Sequence, residues 1–375
     1  MIYRKHQKLG RTLLALALAL GLASSAPGAE AATRAELAQI SVNQKGTNFK
    51  YWNKSAASYQ ALTSYVKSVT DKKSPDYIPV EERIAVFDVD GTLLCETTPS
   101  YFEWMMYLER ALNDPTFTPT AEDKALATEI KEAMDSVGIP NAKPGATGKL
   151  PTELDRRQAE SQERVFAGLT LSEYEAYVKK FMETPAEGMN NLKRGESFYL
   201  PMVEVVSYLT ANKFKVFIVS GTDRQALRIL ADGILPIEKD NIIGTDAWFL
   251  ASHQGETDGL KYTYRRDDEI VRGSFSLKDI KMNKVSNIVR EIGRQPVLAF
   301  GNSSGDASMF NYTINGNKHK ALAFALLCDD TERELGSVAK ADSMRASCEK
   351  NGWIPVSMKE DFATIYGANV TRADQ

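Results

Sequence analysis

Two aspartates one residue apart, Asp88 and Asp90, stand directly after the short apolar run 83–87 and are followed by Gly91 and Thr92. On an extended segment residues i and i+2 point to the same side, so both carboxylates would face one space. Their charges repel, and the pair makes sense when a cation lies between them or one of them is protonated. One can then attack as a nucleophile while the other handles protons, with Gly91 letting the chain turn away sharply. A polar turn after a strand is the plainer reading of the same residues, because Asp-Gly is a good turn sequence.

Two more apolar runs end in polar segments. The run 216–219 ends in Ser220 and Gly221, with Thr222 and Asp223 opening a helical pattern. A hydroxyl beside a helix N-terminus can hydrogen-bond an anionic oxygen, although Ser, Thr and Asp are also ordinary helix caps. The run 296–300 ends in Gly301-Asn302-Ser303-Ser304-Gly305-Asp306. Upstream of it, Lys284 begins another helical pattern; it could neutralise a phosphoryl group, and by itself it reads as a solvated lysine.

The elements that must carry these residues are legible as alternating patterns. Strand-like runs at 83–87, 216–219, 296–300 and 321–325 are separated by helical patterns at 223–231, 284–292 and 306–312, which predicts a parallel α/β sheet. In such a sheet ligands bind at the carboxyl ends of the strands, where the polar segments lie. Helical patterns at 101–112, 122–137, 156–166 and 172–182, broken by the Pro/Gly stretch 138–151, form a mostly helical unit inserted after the first strand. Residues 32–80 read as a helical lead-in with Trp52, Tyr59, Leu62 and Tyr65 on a recurring spacing, and 247–275 as a small hairpin with turns at Gly255 and Gly259.

Taken in order, Asp88-Val-Asp90-Gly91-Thr92, Ser220, Lys284 and Gly301-Asn302 to Asp306 resemble the four signatures of the haloacid dehalogenase superfamily. The helical insertion between the first two resembles the cap of phosphoserine-phosphatase-like members. The resemblance implies a three-layer, Rossmann-like parallel sheet core (81–96 and 201–375) with an inserted, mainly α-helical cap (97–200). It implies Asp88 as the nucleophile that forms an aspartyl-phosphate, Asp90 as general acid and base, and Ser220 and Lys284 as phosphoryl-binding groups. Mg²⁺ would be bound by Asp88, the Asp90 carbonyl and the loop holding Asn302 and Asp306, in keeping with the preference of Mg²⁺ for one or two carboxylates plus waters. Asn302 stands where many relatives have an acid, which leaves open whether Asn302 or Asp306 is the direct ligand. The second carboxylate, Asp90, favours phosphate esters over the dehalogenase branch, which has no alcohol to protonate. Glu96 and Arg164 resemble in placement an acid and a base used on the substrate's amine and carboxylate, with Gly221 and Arg224 as further substrate candidates beside Arg228. The implied partner is a small phosphorylated metabolite.

Two rival readings remain. Gly301-Asn-Ser303-Ser-Gly305 satisfies the nucleophile-elbow pattern of serine esterases, but His319 is the only later histidine and no His-Gly-Gly-Gly segment exists. A catalytically silent phosphoester-binding protein would use the same crevice. Gly145-Ala-Thr-Gly148-Lys149-Leu150 has the wrong spacing for a phosphate-binding loop, and Leu150 replaces the metal-binding hydroxyl.

Composition narrows the setting. The chain has 375 residues, 43% apolar and 25% charged, which describes an ordinary globular protein of roughly two domains. Segment 1–31 has four basic residues before a short apolar run (13–23), one acid, and a closing Ala29-Glu30-Ala31, the pattern of a secretory signal peptide. Its removal takes the formal charge from −3 to −6, a poor balance for nucleic-acid binding. Export to the periplasm or medium, with no membrane attachment after cleavage, is the expectation. Three histidines cannot build a multi-histidine metal cage, and three cysteines are too few for a disulfide framework. An oxidising compartment would permit a Cys328–Cys348 disulfide; two independent thiols are the alternative, and Cys95 has no assigned role.

Overall fold

The structure is a computed structural model that describes residues 32–95, 101–137 and 152–373. Segment 1–31, which the sequence suggests is a signal peptide, Glu96 and residues 145–150 lie outside the described residues.

The lead-in is less helical than its spacing predicts. It holds a single turn, α1 (Arg34–Leu37), and one full helix, α2 (Ala57–Thr70), which buries Leu62, Tyr65, Val66 and Val69. Trp52 lies before α2, where its ring packs edge-on against Phe362 and its indole N–H donates to the Pro201 carbonyl. Strand β1 (Ile84–Phe87) follows, buried on every residue as a central parallel strand must be.

Among the described residues four helices then precede the next strand: α3 (Phe102–Leu108), α4 (Ala121–Val137), α5 (Thr152–Phe166) and α6 (Leu171–Met182). Thr170 caps α6 in a reciprocal box with Glu173. A two-residue strand, β2 (Met189–Asn190), leads to α7 (Leu200–Ala211) and β3 (Lys215–Asp223). Strand β3 runs through Ser220 to Asp223, farther than its apolar run; Asp223 caps α8 (Arg224–Ala231) by accepting from the Ala226 amide.

The predicted hairpin is larger than its turn signals suggest. Strand β4 (Ile242–Ala251) is parallel to β3, and β5 (Ile270–Leu277) pairs antiparallel to β4 as an edge of the main sheet. After α9 (Met282–Asn287) come β6 (Leu298–Gly301), α10 (Ala307–Ile314), β7 (Leu322–Leu327) and α11 (Val338–Asn351). A strand that no sequence pattern announced, β8 (Ile354–Ser357), forms the other edge; α12 (Met358–Asp361) and β9 (Thr371–Arg372), paired with β2, end the described chain.

The sheet order is β5-β4-β3-β1-β6-β7-β8, with β5 alone antiparallel, so the architecture is the expected Rossmann-like α/β fold. Alternate residues of β1 serve two cores: Ala85 and Phe87 pack on one face of the sheet, Ile84 and Val86 on the other. In-register pairing places Phe87, Phe300 and Phe324 side by side, their rings stacked at 4.3 and 4.9 Å. Phe87 and Phe300 immediately precede Asp88 and Gly301 in the chain. Among the described residues no helix is long and apolar enough to cross a membrane.

The three cysteines are buried free thiols, so the Cys328–Cys348 disulfide is not formed. Cys348, on the buried side of α11, packs in the second core, whereas the Cys328 thiol just after β7 meets the Leu335 carbonyl.

Candidate active site

The first two carboxylates are delivered by β1 and the turn after it. The Asp88 amide donates to the Phe300 carbonyl at 2.9 Å, extending the β1–β6 ladder by one residue and fixing the nucleophile candidate at the carboxyl end of the sheet's central strand. Gly91, at φ 73°, then reverses the chain with its amide on the Leu94 carbonyl, a backbone state that costs a glycine little. Asp88, Asp90, Gly221, Lys284, Asn302 and Asp306 all line one cavity of about 440 Å³ at the carboxyl ends of the strands.

Lys284 is the hub of that cavity. Its ammonium is 2% exposed and donates to Asp88 Oδ1 at 2.7 Å and Asp306 Oδ1 at 2.6 Å. Burial alone would lower its pKa, but the Asp306 and Asp88 charges outweigh this and hold it above the usual lysine value. The solvated-surface reading of this lysine is therefore wrong. Asp306 spends its second oxygen on the Asn302 and Ser303 amides at 3.0 Å each and on the Ser303 hydroxyl. It braces the loop and Lys284, and both its oxygens are occupied. Gly301 makes this possible, because a Cβ there would fall 2.6 Å from the Asp306 carboxyl carbon.

Asp90 receives a hydrogen bond from the Thr222 hydroxyl at 2.6 Å on Oδ2, while its Oδ1 is buried without a partner. Burial and the Asp88 charge push its pKa up to about 7, against the lowering effect of Thr222. Burial and the Asp306 charge raise Asp88 to about 6, with Lys284 opposing. With all three carboxylates ionised, the one ammonium would leave two negative charges unmatched, an imbalance that a divalent cation would relieve. Among the described residues no three Asp, Glu, His or Cys side chains converge as a ready-made metal cage. A hard cation here would need the Asn302 amide and backbone or solvent oxygens beside Asp88.

Other candidates fall elsewhere. Ser220 is fully buried at the end of β3, where its hydroxyl accepts weakly from the Thr222 amide at 3.4 Å, and it does not line the cavity. Arg164 is committed to Asp123, at 2.6 and 3.0 Å, beside a separate surface depression with Glu122, Glu129, Arg157 and Glu160. Arg224 forms two bonds of 2.7 Å to Glu291 and one to Asp246, and Arg228 donates to the Lys239 carbonyl. These three arginines hold the scaffold together and do not face the cavity. The esterase reading loses its base: His319 pairs with Glu82, which precedes β1 at the opposite end of the sheet, and Ser303 turns to Asp306 and the Gly305 amide.

Sequence reasoning missed the far wall of the cavity: Tyr101, Glu103 and Trp104 at the start of α3, Asp155 of α5, and Lys278 and Lys281 before α9. Glu103 had a signal, as the single acid in the otherwise apolar stretch 101–108 around α3, and the helix-cap reading of Thr222 hid its contact with Asp90.

The family model of haloacid dehalogenase-like hydrolases matches residues 82–250. The match runs from β1 into β4 and takes in Asp88, Asp90 and Ser220, so this part of the chain is similar to haloacid dehalogenase-like hydrolases. No curated protein matches the sequence. Similar solved structures include a conserved protein of unknown function from Anaerococcus prevotii DSM 20548, with TM-score 0.48 and 14% identity over 85% of this chain and 96% of that one. A cytosolic 5'-nucleotidase IIIB bound to cytidine has TM-score 0.46 and 11% identity over 82% of this chain and 86% of that one. A phosphoserine phosphohydrolase-like protein from Francisella tularensis subsp. tularensis SCHU S4 has TM-score 0.36 and 17% identity over 70% and 99%. These likenesses are too loose to bear on the substrate.

Proposed function

We propose that the chain is a phosphomonoester hydrolase that works through an aspartyl-phosphate on Asp88. The observation that carries this reading is the Asp88–Lys284–Asp306 chain of contacts, with Asp90 and its Thr222 donor opening onto the same cavity. Lys284 holds Oδ1 of Asp88, so attack on phosphorus falls to the other oxygen. As that bond forms, the ester P–O bond breaks and Asp90 gives its proton to the departing alcohol oxygen. Asp90 then takes a proton from water, whose oxygen displaces Asp88 from phosphorus and releases inorganic phosphate. An acid with a pKa of about 7 suits both halves of this cycle near neutral pH.

Mg²⁺ would be held by Asp88, the Asp90 backbone carbonyl and Asn302, and when bound it supplies neutralisation of the phosphoryl charge. The structural role of Asp306 favours Asn302 as the loop's ligand. Helices α3 to α6 would act as the cap, excluding water and contacting the leaving group. The substrate is a small phosphorylated metabolite met outside the cytoplasm after removal of 1–31. N-terminal sequencing of exported protein should find Ala32 first, and an intact Met1 would count against export.

Hydrolysis of an aryl phosphate by residues 32–375, with Mg²⁺ and with EDTA, tests the activity beside Asp88→Asn. Turnover that requires Mg²⁺ and vanishes in Asp88→Asn is expected. Folded wild type that binds phosphate esters without turnover would replace the enzyme with a binding protein.

A further inference from the structure

The reaction leaves unused the wall of the cavity that faces the departing alcohol. There Lys278 donates to Glu103 Oε1 at 2.6 Å, and Glu103, 3% exposed, accepts the Asp223 amide on Oε2 at 2.7 Å. Glu103 thereby fixes the Lys278 ammonium against the end of β3, one residue from the Thr222 that serves Asp90. An ammonium has three donors, and Glu103 is the one acceptor of Lys278 among the described residues, so two donors are left for an occupant of the cavity. Lys281, three residues on, is exposed, lines the same cavity and has no side-chain acceptor among the described residues. Its backbone sits at φ 54°, ψ −124°, a costly state for a residue with a Cβ, and its amide donates a hydrogen bond to the Gly305 carbonyl.

The two ammonium groups belong to the leaving-group side. Lys278 acts electrostatically on Asp90, the leaving-group acid, and both lysines act on Asp155, which lines the same cavity. Asp155 could attract a cation, but it faces both lysines, which would repel one.

We propose that the substrate's alcohol part carries a second anionic group, a carboxylate or a second phosphate, received by Lys278 and Lys281, with Glu103 as the positioning residue for Lys278. This rests on the phosphatase reading.

The test compares ethyl phosphate with carboxymethyl phosphate, ethylene bisphosphate and 2-aminoethyl phosphate. Wild type should show a KM roughly 10- to 100-fold lower for the carboxylate or bisphosphate ester than for ethyl phosphate, at similar kcat. Which of the two is preferred identifies the anion. Lys278→Met should erase the KM preference, whatever it does to kcat through Asp90, and Lys278→Arg should restore it. Lys281→Gly removes one cation while relieving the backbone, so it should fold at least as well and weaken the preference. Calorimetric titration of Asp88→Asn with the same four esters reads the ranking without turnover. Equal or tighter binding of ethyl or 2-aminoethyl phosphate would overturn the proposal, as would a Lys278→Met variant that keeps the wild-type KM ranking of the four esters. Anion preference in binding without wild-type turnover would sink the phosphatase reading alone; turnover without preference would sink this proposal alone.

Discussion

Replacing Asp90 by asparagine should slow catalysis and stabilise the metal-free protein, the latter by an amount that depends on pH. An ordinary aspartate titrates near 3.8, and in the fold Asp90 is pushed up to about 7, first by burial and then by the Asp88 charge. Each pKa unit is worth about 1.4 kcal/mol, so ionised Asp90 costs the fold at most about 4 kcal/mol. The carboxylate borders the cavity and solvent recovers part of that cost, so about 2 kcal/mol is expected. The sign follows from proton binding. Between pH 4 and 7 the folded state holds more protons at this site than the unfolded chain, so wild-type stability falls as pH rises through that window. The Asp90→Asn variant has no such dependence at this position. Below pH 5 a protonated carboxyl and an amide are nearly isosteric, each able to accept from Thr222, so the two proteins should then unfold alike. Urea unfolding in EDTA at pH 4.5, 5.5, 6.5 and 7.5 should show the gap opening from near zero to its full size, equivalent to roughly 4 °C in Tm. Turnover should fall by about 10²- to 10⁴-fold. A gap that stays constant with pH, or a variant less stable than wild type at pH 7.5, would refute the claim that the fold forces this carboxyl upward.

Lys284→Met should eliminate turnover and destabilise the protein by about 3–5 kcal/mol in urea unfolding, because Asp88 and Asp306 lose their shared buried counter-charge. Thr222→Val removes the hydrogen bond that lowers the Asp90 pKa, so the alkaline limb of kcat/KM should move to higher pH; an unmoved limb would separate Thr222 from the acid. Thiol titration should find three reactive groups in denaturant and almost none in the native protein, since all three cysteines are buried and free; finding only one in denaturant would mean that two are joined.

The chemistry at the strand ends was legible because it is local. Asp88 and Asp90 share a side through the period of an extended chain, and Gly91 and the 301–306 loop carry their turn chemistry in their own residues. The alternation of apolar runs and helical patterns likewise determined a parallel α/β sheet with a helical insertion, because each element must bury its own apolar face.

Only the tertiary structure decided which groups meet. Lys284 becomes a buried hub because the start of α9 lies over the ends of β1 and β6, and nothing in its neighbours foretells two carboxylates from distant segments. Arg164 and Arg224 have the charge for a substrate contact but find Asp123, Glu291 and Asp246 first, and a paired guanidinium has little to offer a ligand. Glu103 and Lys278, 175 residues apart, form the opposite case: each reads as an ordinary charge in sequence, and their pairing exists only because α3 folds back onto the segment after β5. Strand and helix periods are set by neighbouring residues, whereas an ion pair across a cavity is set by how whole elements pack, and that information is spread over the entire chain.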